Sequence, residues 1–177
     1  MNQVQAFTAA CIAVACLHAA SQARAEGVPE WNAVATARGQ TLLESLAARG
    51  VQVYECRVDP AAPGGARWVF VAPQAELFDR TGRLVGTHFA GPQWQAADGS
   101  RIAGELQARA DAPQADAIPW LLLSAKSVGA DGRFARVTSV QRVNTRGGQA
   151  PRRACDAGAA GETERVPYTA DYLLYVS

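Results

Sequence analysis

The sequence has almost no excess of charge of either sign. Its 17 Lys and Arg side chains are matched by 16 Asp and Glu side chains, and Lys126 is the only lysine. Proteins that bind nucleic acids or anionic membranes carry clustered positive charge. We therefore expect no nucleic-acid partner, and an unknown small molecule or envelope component is the more reasonable partner class.

Histidine and cysteine are also scarce. The chain has two histidines, His18 and His88, and four cysteines, at positions 11, 16, 56 and 155. A structural zinc site needs four such ligands at short spacings. Neither Cys56 nor Cys155 has another Cys or His at ligand spacing. The sequence therefore predicts no metal site, and it indicates no cofactor.

The one long apolar run, residues 7–20, lies near the N-terminus and precedes an Ala-Arg-Ala tripeptide that ends at Ala25. An apolar run followed by small residues in this pattern is typical of a secretory signal. We predict a signal peptide over residues 1–25 and a single domain over residues 26–177. The run is shorter than the roughly 20 residues that a spanning helix needs, so no transmembrane helix is expected in the mature chain.

Export would place the mature chain in the periplasm or outside the cell. A lipoprotein anchored at Cys16 is less favoured, because Ala13 stands where a large aliphatic residue would be expected. Cleavage would leave Cys56 and Cys155 as the only cysteines, and two cysteines in an oxidising compartment favour one disulfide. Such a bond would close a loop of about 100 residues, and loop-closure entropy then contributes at most about 4.7 kcal/mol.

Short alternating segments and frequent turns dominate the chain from residue 51 onward. Strand signals separated by Gly and Pro turns favour a mainly β fold, a single-domain antiparallel β-sandwich or barrel with little helix. Residues 101–109 alternate with the apolar side chains at 102, 106 and 108, which predicts a half-buried strand. A long strand is predicted over residues 134–143, a last strand over residues 168–176, and a long loop over residues 144–166.

Residues 40–49 fit two interpretations. Leu42, Leu43 and Leu46 form a helical stripe that Gly50 could cap. The same residues also alternate as a bulged strand. Periodicity alone does not separate the two.

Residues 86–100 bring together one histidine, one tryptophan, one aspartate and three glycines, the densest such set in the chain. A three-residue hairpin loop over residues 97–99 would give Gly99 the left-handed conformation, where glycine is least strained. This register places Trp94 opposite Ile102, with both side chains on the apolar face. Trp94 is therefore expected to be a core residue first and a ligand platform second.

Several segments resemble a known family of uncharacterised secreted proteins, domain of unknown function 3455. These segments are GVQVYEC (50–56), APQAEL (72–77), GTHFAGPQW (86–94), DGS (98–100), IPWLLL (118–123), QRVNTRGG (141–148) and PYTADY (167–172). The resemblance covers nearly the whole mature chain. It implies a strand over residues 40–49 and a single domain, and it carries no established activity, cofactor or substrate.

Four residues are candidate binding residues, His88, Trp94, Asn144 and Arg146. We expect them to share a rim formed by the hairpin stretch and the long loop of a non-enzymatic ligand- or surface-binding module. We assign no catalytic residue.

Two alternative functions remain open. In a small hydrolase, His88 would act as a base beside Asp98 and Ser100, although these two residues are also explained as turn residues. The other alternative is a structural or envelope-protective protein.

Four residues are candidates for a structural role, Cys56, Cys155, Asp171 and Arg142. Asp171 lies in an otherwise apolar strand, so its burial would require a partner. We expect that partner to be Arg142, with Arg146 as the next candidate.

Overall fold

Eight antiparallel strands make up most of the chain that the computed structural model describes, residues 34–35 and 39–177. The predicted signal peptide lies outside these residues. The strands are β1 (Thr41–Val58), β2 (Ala66–Phe78), β3 (Leu84–Phe89), β4 (Gln93–Ala96), β5 (Arg101–Ala110), β6 (Trp120–Ser127), β7 (Ser139–Gly147) and β8 (Thr163–Val176). Each strand pairs with its neighbour in sequence, and β1 also pairs with β8. The sheet is therefore a closed barrel.

Strand β1 resolves the ambiguity over residues 40–49 in favour of the bulged strand. Its pairing with β8 shifts register between Leu42 and Glu44, so Leu43 is an extra residue. Beyond this bulge, alternate side chains from Leu46 onward face the barrel interior. Gly50 lies inside β1, where an added Cβ would come within 2.1 Å of the Gln74 carbonyl oxygen. It allows close strand approach and does not cap a helix.

One end of the barrel is filled by large apolar side chains. Trp94, Ile102, Tyr172 and Leu174 project inward from their strands and are almost completely buried. Trp94 pairs with Ile102 as the three-residue loop predicts, and Gly99 has a φ of 87°. The predicted register is confirmed.

The connection between β6 and β7 closes this filled end. Phe134 and Val137 lie in that connection and are buried against the core. The backbone N–H of Phe134 donates to the Ser100 hydroxyl at 3.0 Å, which directs the segment inward. The prediction of a strand over residues 134–143 is therefore wrong in its first half, because β7 begins only at Ser139.

The predicted loop over residues 144–166 is shorter at both ends. Strand β7 continues to Gly147 and β8 begins at Thr163, because the residues at each end pair with neighbouring strands. Only residues 148–162 connect them, with one 3-10 turn at Ala157–Ala159. Cys155 lies in this connection at 2.05 Å from Cys56, sulfur to sulfur, so the predicted pairing of the two cysteines is confirmed.

Within the described residues, helices capable of crossing a membrane are absent.

Candidate functional site

The end of the barrel opposite Phe134 is open and contains a cavity of about 670 Å³. Its walls come from β1, β2, β5, β6 and β7 and from the connections that follow β5 and β7. Phe70 and Leu106 lie on its apolar side, and they are 49% and 55% exposed. Cavities of several hundred cubic ångströms with mainly apolar walls and a few polar groups are typical of small-molecule sites.

The connection between β5 and β6, residues 111–119, forms one wall of the cavity, and we call it the strap. Three side chains from β7 and its following loop hold the strap by hydrogen bonds to its carbonyl oxygens. Arg142 donates to Pro119 at 3.1 Å through Nε and at 2.8 Å through Nη2. Thr145 and Gln149 donate to Ile118 and Ala117. These contacts fix the width of the cavity mouth.

Arg142 faces the barrel interior. It does not form the pair with Asp171 that the sequence predicts. Arg142 lies opposite Tyr172, an inward-facing residue, whereas Asp171 is one position along β8 and faces outward. Successive strand residues point to opposite faces, so the two side chains are separated by the sheet. Asp171 instead accepts a hydrogen bond from the Asn144 amide at 2.8 Å.

The inner part of the cavity carries Gln52 and Tyr54 on β1. The Tyr54 hydroxyl donates to the Gly148 carbonyl oxygen at 2.7 Å. Burial raises the pKa of Tyr54, and the nearby Arg142 charge offsets part of that rise. Gln52 is only 2% exposed, and its Nε2 has no hydrogen-bond partner among the described residues. A buried amide without a partner costs roughly 1–3 kcal/mol, so this nitrogen is suited to meet a ligand acceptor.

His88 and Trp94 lie deeper, in the packed part of the barrel. Their rings stack at a centroid distance of 4.5 Å, and the residues are 3% and 1% exposed. Nδ1 of His88 donates to the Gln93 carbonyl oxygen at 2.8 Å. Burial lowers the pKa of His88 to about 3, and the Arg142 charge adds to this effect. The imidazole is therefore neutral at physiological pH.

The three residues of the hydrolase hypothesis are not assembled. Asp98 accepts from the Ser100 hydroxyl at 2.6 Å and from the Arg133 backbone at 2.8 Å. His88 lies opposite Trp94, and its one side-chain hydrogen bond among the described residues goes to the Gln93 carbonyl oxygen, not to Asp98 or Ser100. The contacts of Asp98 and Ser100 therefore join the hairpin loop to the segment that closes the filled end.

A comparison with protein families matches residues 36–176 to a family described as a protein of unknown function, DUF3455. The chain belongs to this family. The match spans nearly the whole described part of the DUF3455 protein and confirms the resemblance seen in its sequence. No curated protein matches this chain.

Asn144 and Arg146 of this DUF3455 protein lie on the outside of the barrel. They border a second cavity of about 450 Å³ together with Asp171 and Trp120. Asn144 has a φ of 52° at the point where the pairing of β7 with β8 shifts register. The four candidate binding residues thus occupy two separate places, one inside the barrel and one outside.

Of the residues that line the open end, the sequence singled out Arg142, and that only for a structural role, whereas Gln52, Tyr54 and Arg109 are not among the predicted site residues. Gln52 stands in an inward-facing series with Leu46, Ala48 and Tyr54. A glutamine at a strand position where alternation favours an apolar residue indicates a polar side chain inside the barrel. Arg109 gave no such signal, because the pairing of β5 with β6 shifts register between Leu106 and Ala108 and this bulge reverses the faces.

Proposed function

We propose that this protein is a binding module that takes a small molecule into the open end of its barrel. The observation that carries the proposal is the buried, unpartnered amide of Gln52 beside a cavity of about 670 Å³. A ligand acceptor or a water molecule that reached this nitrogen would supply the hydrogen bond that it lacks. The cavity is large enough for a metabolite-sized ligand, and its polar and apolar sides would fix the ligand's orientation.

The exposed side chains at the mouth support the same proposal. Phe70 and Leu106 are large apolar residues that remain about half exposed, although the filled end shows that the barrel can bury such residues. Apolar side chains gathered at a concave surface mark binding sites more often than isolated ones do. A ligand body lying between them would remove their surface from water.

The titratable groups of the barrel interior favour binding over proton transfer. Burial raises the pKa of Tyr54, Tyr168 and Tyr172 and lowers the pKa of His88 to about 3. A general acid or base works best with a pKa near the operating pH. These four groups stay neutral near pH 7, so they can donate or accept hydrogen bonds without changing charge.

We further propose that the protein acts in an oxidising compartment, the periplasm or the extracellular space. The pairing of Cys56 with Cys155 supports this location, since disulfides persist outside the reducing cytosol. Mass spectrometry of protein from its native compartment is expected to find the chain cleaved after Ala25 and the two sulfurs bonded. An uncleaved chain with free thiols would contradict the proposed location.

A fragment screen on the purified protein tests the binding site. Leu106→Trp would place an indole across the mouth, whereas Leu84→Trp alters a comparably exposed leucine on β3 that does not line the cavity. We expect fragments detected by ligand-observed NMR to bind the Leu106→Trp variant at least tenfold more weakly and the Leu84→Trp variant normally. Fragments that bind both variants alike, or an absence of any bound fragment, would contradict the proposal.

A further inference from the structure

Arg142 places an uncompensated positive charge inside the open end of the barrel. Its side chain is half-buried and lines the cavity. Within the part of the chain that the structure describes, no carboxylate forms an ion pair with it. Removing a charge from water without a counter-charge is unfavourable, so this position is one that an anion would stabilise.

The Arg142 guanidinium keeps hydrogen-bonding capacity. Arginine has five N–H donors, and two of its nitrogens donate to the Pro119 carbonyl oxygen. The guanidinium also donates a hydrogen bond to the Tyr172 hydroxyl, so two N–H groups are left for other acceptors. A planar guanidinium matches a carboxylate in shape and can bind it through two parallel hydrogen bonds.

The remaining charges of the cavity reinforce this preference. Arg109 and Asp111 also line it, so two positive side chains stand against one negative. Arg109 lies opposite Leu121. Its side chain forms no hydrogen bond and no ion pair with the described residues. The interior tyrosines and His88 contribute no negative charge near neutral pH, because their pKa values keep them uncharged. The side chains that line the cavity therefore carry a net positive charge.

We propose that the ligand is a small organic acid, with its carboxylate at Arg142 and Gln52 and its apolar body between Phe70, Leu106 and Leu121. This inference rests on the proposed binding function and names its ligand class. The apolar side chains of Phe70, Leu106 and Leu121 disfavour an inorganic anion, which has no apolar surface to bury. The two arginines disfavour a cationic ligand.

Matched acids and amides test the charge preference on the unaltered protein. Isothermal titration calorimetry would compare naphthoate with naphthamide, and octanoate with octanamide, so that each pair differs only in charge. We expect at least one acid to bind about tenfold or more tightly than its amide, with an affinity that falls as salt is added. Equal binding of acid and amide, or no binding of either acid, overturns this inference.

Three variants of two arginines then locate the charge. Arg142→Met is expected to lose the acid preference, while Arg146→Met, a change of the same kind on the outer face of β7, leaves it intact. Arg142→Lys keeps the charge without the fork and should retain part of the preference. If the Arg142 variants fail to fold, the comparison of acids with amides on the wild-type protein still decides whether the ligand is an acid. A preference that survives in Arg142→Met would overturn the assignment.

The outcomes separate this inference from the proposed function. Fragments that bind at the mouth, compete with the amides and show no preference for acids would leave the binding site in place and remove the organic-acid ligand. Loss of fragment binding in the Leu106→Trp variant tests only where ligands bind, and this test does not depend on the charge of the ligand. The organic-acid ligand can therefore be refuted while the proposed binding site stands.

Discussion

His88 makes the stability of this protein dependent on pH between about 8 and about 5, above the ordinary pKa values of Asp and Glu side chains. The imidazole is stacked on Trp94 at 4.5 Å and contacts Tyr172 edge-on at 4.9 Å, with the Arg142 charge nearby. Burial lowers its pKa to about 3, whereas an exposed histidine has a pKa of about 6.5. Between these two values the unfolded chain binds a proton that the folded chain does not.

The sign and size of the effect follow from proton linkage. Because the unfolded state binds more protons, stability falls as pH decreases from about 6.5 toward about 3. One pKa unit corresponds to about 1.4 kcal/mol, so the full loss would approach roughly 5 kcal/mol below the folded pKa. At about pH 5 the expected loss relative to about pH 8 is roughly 2 kcal/mol. The burial-depressed pKa of this one group is the source of the whole difference.

The matched variant is His88→Asn, which keeps a nitrogen near Nδ1 and removes the titration. Equilibrium urea unfolding, followed by tryptophan fluorescence, would give the free energy of unfolding of both proteins between about pH 8 and about pH 5. The variant should be less stable at about pH 8, because it loses the stacked ring, but its stability should change less with pH. His18 and all carboxylates are common to both proteins and cancel in the comparison. Parallel pH curves for the two proteins would refute a neutral, buried His88.

Three further changes have expected outcomes. Gly104→Ala would bring a Cβ within 2.9 Å of the Trp94 ring, and we expect a loss of about 1–3 kcal/mol in urea unfolding; an unchanged midpoint would contradict the tight packing. Replacing both Cys56 and Cys155 with Ser should lower the thermal midpoint, with a loss of at most about 4.7 kcal/mol; an equal midpoint would show that the bond stabilises nothing. Asp171→Asn should change the free energy of unfolding, measured by calorimetry, by less than about 1 kcal/mol, because the hydrogen bond of Asp171 lies on the outer face of the barrel. A larger loss would instead support a buried ion pair of Asp171.

The parts of the fold that local chemistry dictates were predictable from the sequence. The loop that ends at Gly99 requires a positive φ, and this requirement, together with the need to keep one face of the strands apolar, predicts the register of Trp94 against Ile102. If residues 1–25 are a signal peptide, as the sequence predicts, Cys56 and Cys155 have only each other as partners, and they are bonded. In both cases one residue type permits few conformations, so a short stretch determines the outcome.

Features that depend on bulges were not predictable. Bulges in β1, β2, β5 and β7 shift the register between neighbouring strands, and a bulge has no reliable sequence signature. After the bulge in β5, Arg109 rather than Ala108 lies opposite Leu121. Alternation therefore assigned Ala108 and Arg109, which follow the bulge, to the wrong faces, whereas Leu106, which precedes it, faces the interior as predicted.

The four candidate binding residues lie in two separate places, because an unusual residue type does not by itself indicate where its side chain lies. His88 and Trp94 are uncommon residues in this chain, yet their contacts are those of a packed core. Arg142 was assigned a structural partner, Asp171, on the assumption that both faced inward. Only the pairing of β7 with β8 shows that the two residues face opposite sides of the sheet.

The geometry of Arg142 links the shape of the cavity to its charge. The same guanidinium that lines the cavity also holds the strap, through Pro119, so a carboxylate bound to its remaining N–H groups would order the side chain on which the strap depends. Reduced side-chain freedom strengthens the hydrogen bonds that remain, because their entropic cost has already been met. A bound acid is therefore expected to slow amide hydrogen exchange in residues 111–119, while its amide analogue leaves the exchange rates unchanged. Unaltered exchange in the strap with the acid bound would show that Arg142 holds Pro119 independently of the ligand.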